Sequence, residues 1–238
     1  MTTRPTAAVI RTGVTLSLRF SDGFSTVARV LTFDGLVDGR EHLAVGLGDR
    51  ATNTATNEQL YSHPLVRLHS ECLTGDVFGS QRCDCGPQMR EAVERIAEVG
   101  GYLLYMRQEG RGIGLYGKLD AYVLQDGGLD TYEANVALGF RADARDYTAA
   151  AQMIHALGLA SVALLSNNPD KADQLGRLDV TVAERVPTGV HWSPENARYL
   201  ATKASRGAHT FEPVPGGRVA PLVSDGPVHV ADDLRLRA

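Results

Sequence analysis

The feature that most constrains the fold is an alternation of helical patterns and short apolar runs along the middle of the chain. Apolar residues recur at helical spacing over 89–96, and the apolar run over 102–106 predicts a buried strand. The same pair recurs over 148–157 and 161–165, and a further helical pattern begins at Lys171. A helix that leads into a buried strand is typical of an α/β layer.

The N-terminal quarter follows a different pattern. Apolar and polar residues alternate over 14–20, and the turn signal Ser21-Asp22-Gly23 separates this run from the next one. Further strands are predicted over 43–47 and 64–69. We therefore expect an α/β (α+β) fold with a mixed sheet, helices on its faces and a β-rich N-terminal portion.

Length and charge narrow the classes of protein. A chain of 238 residues can bury a core without help from disulfides or metals. Its net charge of −4 gives no general attraction to nucleic acid or membranes, and residues 1–11 lack an apolar run suited to secretion. We expect a cytoplasmic protein with one domain over 1–205. The stretch over 206–238 is rich in Gly, Pro and Val without a sustained period, which predicts a loosely ordered tail.

The cysteines indicate a metal site. Cys72, Cys83 and Cys85 fall within fourteen residues and are the only three cysteines of the chain, an odd number that argues against a disulfide framework. Three thiolates would leave a tetrahedral Zn²⁺ one open position, where a water can be activated. The alternative is a closed structural site, with His63 or His69 as the fourth ligand.

A glycine-rich loop over 107–114 follows the predicted strand over 102–106 and precedes a predicted helix. Such a loop can bring backbone N–H groups close to a phosphate. The carboxylate of Glu109 could accept the paired N1–H and 2-amino donors of a guanine, and Arg107 and Arg111 could bind phosphate oxygens. An ordinary turn with solvated arginines is the alternative.

Taken together and in order, these segments resemble the GTP cyclohydrolase II family. The similarity runs from roughly Val9 to Lys203. The segments that carry it are Arg67-Leu-His-Ser-Glu-Cys-Leu-Thr-Gly-Asp, Arg82-Cys-Asp-Cys-Gly, Arg107-Gln-Glu-Gly-Arg-Gly-Ile-Gly-Leu, Ala134-Asn135 to Gly139-Phe140, and Ser166-Asn-Asn-Pro.

The resemblance implies a zinc hydrolase that opens the imidazole ring of GTP and releases formate and pyrophosphate. The product would be 2,5-diamino-6-hydroxy-4-(5-phosphoribosylamino)pyrimidine, in the first step of riboflavin biosynthesis. It also implies Zn²⁺ on the three cysteines, Mg²⁺ with the triphosphate, and a homodimer. The implied substrate contacts are Arg67, Leu68, His69, Ser70, Glu71, Gln88, Glu109, Gly110, Arg111, Thr131, Ser166 and Lys171.

Three further residues have catalytic roles by the same resemblance. Asp143 would be a proton acceptor and Arg145 a nucleophile toward the α-phosphate, although charged residues before a helix ordinarily cap it. Because a guanidinium stays protonated, we expect Arg145 to stabilise charge on the α-phosphate instead. Tyr122 would donate a hydrogen bond to the ring-opening intermediate; the alternative is a half-buried helix tyrosine.

Two other functions are consistent with the sequence. The chain could be a relative that stops after ring opening or retains the formyl group for a specialised metabolite. It could also be a nucleotide-binding protein with a structural zinc and no turnover.

Overall fold

Seven strands form one mixed sheet in the computed structural model, which describes residues 7–52 and 63–206. Their order across the sheet is β1-β2-β3-β5-β4-β6-β7. The strands are β1 (Val9–Arg19), β2 (Ser25–Asp34), β3 (Leu43–Leu47), β4 (Leu65–Ser70), β5 (Gly101–Met106), β6 (Ser161–Leu165) and β7 (Thr181–Val186).

The sheet has an antiparallel half and a parallel half. The strands from β1 to β3 pair antiparallel, as β3 does with β5, whereas β5, β4, β6 and β7 pair parallel. The carboxyl ends of these four strands therefore meet at one edge. β4 lies between β5 and β6, so the chain proceeds in opposite directions on its two sides, and such a switch point leaves a crevice where ligands bind.

Seven helices connect or cover the strands in the described residues. Local sequence signals explain where two of these helices begin. Asp130 and Glu133 form a reciprocal capping box before one of them, and the side chain of Asn168 accepts from the N–H of Asp170 at the start of the other. The helices are α1 (Leu73–Asp76), α2 (Cys85–Val99), α3 (Leu115–Asp126), α4 (Thr131–Ala137), α5 (Thr148–Ala156), α6 (Pro169–Arg177) and α7 (Ala197–Arg206).

Apolar side chains fill both faces of the parallel half. Successive residues of β4 illustrate this, because Val66 and Leu68 pack in the cluster that contains α5, whereas Leu65 packs in the cluster that contains α2. A sheet covered on both faces is what the α/β pattern predicts. The mixed-sheet fold expected from the sequence is confirmed.

Element bounds follow the sequence patterns closely. The predicted strands over 43–47 and 161–165 coincide with β3 and β6, and the helix inferred from 89–96 extends from Cys85 to Val99. β1 is a strand as predicted, but it lies at the sheet edge, where Val14 and Leu16 stay 48% and 45% exposed. The predicted tail begins at the last residue of α7, and the rest of it, 207–238, lies outside the described residues.

None of the helices in the described part of the chain combines the length and the apolar character that a membrane crossing requires.

Candidate active site

One cavity lies beyond the carboxyl ends of the parallel strands. Segments that directly follow three of them contribute to its wall: Glu71 after β4, Glu109 after β5 and Ser166 after β6. The site residues implied by the resemblance all line this cavity except Asp143. Arg107, expected as a phosphate ligand, does not line it either, and its side chain donates to Glu71 at 2.8 Å. The parallel topology thus brings together motifs that are up to about a hundred residues apart in the chain.

The three cysteines converge in this cavity. Their Sγ atoms lie within 4.8 Å of one another, and those of Cys72 and Cys83 are 3.6 Å apart. No histidine or carboxylate of the described residues joins the group. His69 is hydrogen bonded to Asp76, and His63 to Ser161 at 2.6 Å. The cluster therefore offers three sulfur ligands, as an open zinc site requires.

Gly75 makes room for the cluster. A Cβ at this position would lie 2.9 Å from the Sγ of Cys83 and 3.1 Å from that of Cys72. The backbone of α1 therefore borders the thiols directly, at a distance where an added Cβ would force a sulfur atom to move. This close approach and the soft donor set both fit a thiolate-bound zinc ion.

A buried carboxylate holds the segment that begins at Cys72. Asp76, which is 2% exposed, accepts from the N–H of Cys72 at 3.0 Å and from the hydroxyl of Tyr105 at 3.0 Å. It also lies 3.1 Å from the Nε2 of His69, and burial lowers the pKa of that imidazole although the hydrogen bond opposes this. The network fixes the first cysteine before any metal binds.

Lys118 joins the thiols to the glycine-rich loop. Its ammonium donates to Cys72 Sγ at 3.1 Å, to Thr74 Oγ1 at 2.9 Å and to Glu109 Oε1 at 2.9 Å. Burial opposes its charge, but Glu109 and Cys72 outweigh burial and raise the pKa of Lys118. The ammonium is therefore held charged between the carboxylate and the thiol.

The thiols share their charge unequally. Hydrogen bonds from Cys83 and Cys85, together with the Lys118 ammonium, lower the pKa of Cys72. The hydrogen bond to Cys72 raises the pKa of Cys83 to about 12 and that of Cys85 above its usual value. A divalent cation bound among the three thiols would favour the ionised form of each of them.

Glu109 is already well supplied with donors. Its Oε1 accepts from Lys118 and from the N–H of Gly110 at 3.0 Å, and its Oε2 accepts from the N–H of Leu73 at 2.7 Å. A carboxylate accepts about four hydrogen bonds, so roughly one position is left. The pairing with guanine expected from the sequence would require Glu109 to exchange one of its present partners.

The loop after β5 has an unusual backbone. Gly110 and Arg111 both adopt left-handed conformations, with φ near 60° and 61°. Such a conformation is strained for a residue with a side chain, and strained residues cluster at functional sites. The Arg111 carbonyl accepts from the N–H of Ala144 at 3.0 Å, which ties this loop to the Asp143–Arg145 segment.

Asp143 and Arg145 form an ion pair. The Nε of Arg145 donates to Asp143 Oδ1 at 2.9 Å, and the Nη2 of Arg145 donates to Asp143 Oδ2. Burial opposes the charge of Arg145, but Tyr147 and Asp143 outweigh burial and raise its pKa. Burial also acts against the Asp143 carboxylate, yet Arg145 lowers its pKa. Asp143 itself does not line the cavity, but its ion-pair partner Arg145 does.

Further cations gather on the same side. Arg67 is buried and donates to the Leu165 carbonyl at 3.0 Å and to Gln88 at 2.7 Å, while its Nε has no partner among the described residues. Lys171 is buried and donates to the Leu68 carbonyl at 2.7 Å. Nearby donors without partners are suited to bind an anion.

The chain is similar to known proteins over most of its length. The family model described as GTP cyclohydrolase II matches residues 15–187. The GTP cyclohydrolase-2 of Vibrio parahaemolyticus is 49% identical over 185 residues, which cover 78% of this chain and 90% of that protein. That of Psychromonas ingrahamii is 45% identical over 196 residues, covering 82% and 94%. The riboflavin biosynthesis protein RibBA of Bacillus mycoides is 53% identical over 178 residues, covering 74% and 43%.

The chain belongs to the GTP cyclohydrolase II family. The resemblance inferred from its motifs is confirmed.

The remaining predicted contacts of this GTP cyclohydrolase II chain lie on several elements. Thr131 opens α4, and the phenol of Tyr122 lies 3.4 Å from Thr74 Oγ1, beside the thiols. Burial raises the pKa of Tyr122, so the phenol keeps its proton. The hydroxyl of Ser166 accepts from the N–H of Asn168 at 3.0 Å.

Several residues that line the cavity are absent from the predicted site residues, among them Lys118, Tyr199 and Lys203. Lys118 is expected only as one of the basic residues close to the motifs that could hold an anionic substrate. Lys118 precedes Tyr122 by four residues, so helical spacing alone would have placed both on one face of α3. Tyr199 and Lys203 lie on α7, beyond the matched range of 15–187. Their four-residue spacing was the only signal available.

Proposed function

We propose that this chain opens the imidazole ring of GTP by hydrolysis, releasing formate and pyrophosphate, in the first step of riboflavin biosynthesis. The observation that carries the proposal is the convergence, in one cavity, of a three-thiol cluster and a set of buried cations. The first suits hydrolysis at a ring carbon, and the second suits a triphosphate.

We propose that Cys72, Cys83 and Cys85 hold a zinc ion. The ion would supply an ionised water at neutral pH, because Zn²⁺ lowers the pKa of bound water to about 7. Lys118 would keep Cys72 ionised and Glu109 in place. Tyr122, whose phenol lies beside Thr74, would donate a proton or a hydrogen bond toward the opened ring.

The phosphate chemistry is assigned to the cation side. Arg67, Arg145 and Lys171 would bind the triphosphate, with Mg²⁺ on its oxygens as is usual for nucleotide phosphates. We propose an electrostatic role for Arg145 at the α-phosphate. The ion pair with Asp143 supports this, because it holds the guanidinium protonated and so removes the lone pair that a nucleophile needs.

The test is a product balance. The purified chain, loaded with Zn²⁺, is incubated with GTP and Mg²⁺, and formate, pyrophosphate and the pyrimidine are quantified. Equal yields of formate and pyrophosphate support the proposal. Pyrophosphate without formate would identify a formyl-retaining enzyme instead. Tight GTP binding without either product would point to a nucleotide-binding protein with a structural metal.

We also propose a cytoplasmic homodimer, with the catalytic domain over 1–205 and an appended tail over 206–238. Light scattering on the full chain would report its mass, and a monomer at micromolar concentration would contradict the dimer. A variant that ends at residue 206 should retain activity if the tail is separate from the domain.

A further inference from the structure

The last described helix is fixed against the catalytic domain. Arg198 of α7 donates to the carbonyls of Leu129, at 3.1 Å, and Gly128, which follow α3. Leu200 is 3% exposed, and Asn196 before the helix donates to the His191 carbonyl at 2.8 Å. These contacts hold α7 in one place on the body of the protein, although it follows the range that the family model matches.

Two residues on the inward-facing side of α7 contribute to the cavity wall. Tyr199 and Lys203 line it together with the thiols and Arg145. The Lys203 side chain is 11% exposed, and its Nζ lies 5.5 Å from the centroid of the Tyr199 ring. An ammonium this deeply covered needs a negative partner.

The negative partner of Lys203 in the protein is Asp84, and the contact between them is long. Lys203 Nζ lies 3.3 Å from the buried Asp84 carboxylate, longer than the 2.7–2.9 Å typical of charge-assisted hydrogen bonds. Asp84 is bonded more closely, at 2.6 Å, to Gln88 Nε2. An ammonium has three donors, and Asp84 is the one hydrogen-bond partner of Lys203 among the described residues, which leaves donors for a ligand in the cavity.

Lys203 belongs to the same network as a predicted phosphate contact. Gln88 bonds Asp84 with its amide nitrogen and accepts from Arg67 with its amide oxygen at 2.7 Å. Hydrogen bonds thus join Arg67 to Gln88, Gln88 to Asp84, and Asp84 to Lys203 in one continuous network. Two cations are held at its ends.

The charges around Lys171 indicate which kind of ligand this group of cations would bind. Burial lowers the pKa of Lys171 well below its usual value, and the charges of Arg67, Arg145 and Lys203 lower it further. Arg67, Arg145 and Lys203 are therefore all close enough to Lys171 to disfavour its charge. An anion bound among them would remove that repulsion.

We propose that Lys203 is a phosphate-binding residue and that α7 closes the triphosphate end of the cavity. The proposal rests on the proposed function, because it takes GTP as the substrate and adds a fourth cation to Arg67, Arg145 and Lys171. Lys203 would exchange its long contact with Asp84 for a phosphate oxygen when the nucleotide binds.

A purely structural role is the competing explanation. In that case Lys203 only neutralises Asp84, which lies between Cys83 and Cys85, and its loss would disturb the metal loop. The two explanations differ in which part of the nucleotide loses affinity. They also differ in what removal of the Asp84 charge does.

The experiment measures binding of two fragments of the substrate to the zinc-loaded full chain by calorimetry. Inorganic triphosphate represents the phosphates, and guanosine represents the base and sugar. The variants are Lys203→Met, Lys203→Arg and Asp84→Asn. Arg177→Met, which removes an exposed cation from α6, is the matched control.

We expect Lys203→Met to weaken triphosphate binding about 10- to 100-fold, as for the loss of one charged hydrogen bond. Guanosine binding and zinc content should stay unchanged. Lys203→Arg should restore most of the affinity, because a guanidinium also binds phosphate. Asp84→Asn should leave triphosphate binding at or above the starting value, and Arg177→Met should change nothing.

The proposal is overturned if Lys203→Met binds triphosphate as the unchanged chain does, or if it loses guanosine equally. It is also overturned if Asp84→Asn and Lys203→Met weaken triphosphate binding alike. Neither ligand requires ring opening, so these results are separate from the product balance. A chain that binds triphosphate through Lys203 but releases no formate would refute the proposed function alone.

Discussion

The two sides of the cavity hold their charges in different ways. The thiol side consists of Cys72, Cys83, Cys85, Lys118 and Glu109, and the cation side of Arg67, Arg145, Lys171 and Lys203. On the thiol side, all three donors of the Lys118 ammonium have partners at 2.9 to 3.1 Å. On the cation side, within the part of the chain that the structure describes, Arg67 keeps a buried donor without a partner and Lys203 has one long hydrogen bond.

This difference shows which part of the site the fold assembles by itself. The thiol side is neutralised by groups of the protein, so its geometry does not depend on a nucleotide. The cation side carries an excess of positive charge that a bound phosphate would balance. Substitutions on the thiol side should therefore affect the metal, and those on the cation side the nucleotide.

The largest effect is expected from the thiol side. Cys83→Ser replaces a thiolate with a poor zinc ligand, and we expect formate release to fall roughly a thousandfold or more. Bound zinc, measured by atomic absorption, should fall with it while triphosphate binding persists. Full zinc content in this variant would mean that the cysteines are not the ligands.

Arg145 tests the cation side. Arg145→Met should lower kcat for pyrophosphate release about 100- to 1000-fold, as for loss of a group that stabilises transition-state charge, with zinc content unchanged. The kcat of Arg145→Lys should lie between those of the unchanged enzyme and Arg145→Met, because lysine keeps the positive charge but not the paired N–H donors of a guanidinium. Since Asp143 and Tyr147 raise the pKa of Arg145, no step from its ionisation should appear in the pH profile below about pH 12.

A nucleophilic Arg145 makes the opposite prediction. Rapid quenching of the unchanged enzyme with GTP labelled at the α-phosphate would then trap label on the protein. Such an adduct, absent from Arg145→Lys, would refute the electrostatic role.

Lys118 tests whether the thiol side is preassembled. Lys118→Met leaves the Glu109 carboxylate with its backbone donors only and removes the cation beside Cys72. We expect zinc affinity to fall about 10- to 100-fold, the usual effect of losing a group that supports a metal ligand. Lys118→Arg should lose less. If zinc affinity is unchanged and only the KM for GTP rises, Lys118 belongs with the nucleotide contacts.

The fold class could be predicted from the sequence because helix and strand spacing are local patterns, whereas the proposed site residues rest on the family resemblance of the motifs. The helical spacing over 89–96 and the apolar runs at β3 and β6 are short-range signals. The motif at Cys83 borders α2, Arg67 lies within β4, and Glu109 follows β5. The order of the strands is not local, since β4 pairs with both β5 and β6. It had to be read from the structure.

Two lysines of the cavity are absent from the predicted site residues for the same physical reason: Lys118, which is expected only among the basic residues close to the motifs, and Lys203. Lys118 and Lys203 look like ordinary helix-surface lysines, because solvated lysines are common on helices and neither lies in a glycine-rich or cysteine motif. Only the packing of α3 and α7 against the cavity distinguishes them. The sequence predicted that Glu109 pairs with guanine. It gave no sign that Lys118, Gly110 and Leu73 donate hydrogen bonds to the same carboxylate oxygens.

The smallest expected effect concerns the space around the thiols. Gly75→Ala would place a Cβ 2.9 Å from Cys83 Sγ, so the sulfur must move by a few tenths of an ångström. We expect zinc affinity to fall about tenfold, since a metal site depends on ligand distances to about 0.2 Å. Gly176→Ala in α6, where a Cβ would meet nothing within 4 Å, is the matched control and should not change zinc binding. If both variants bind zinc equally well, the thiols can shift to accept a Cβ, and the thiol side is less rigidly assembled than its hydrogen bonds indicate.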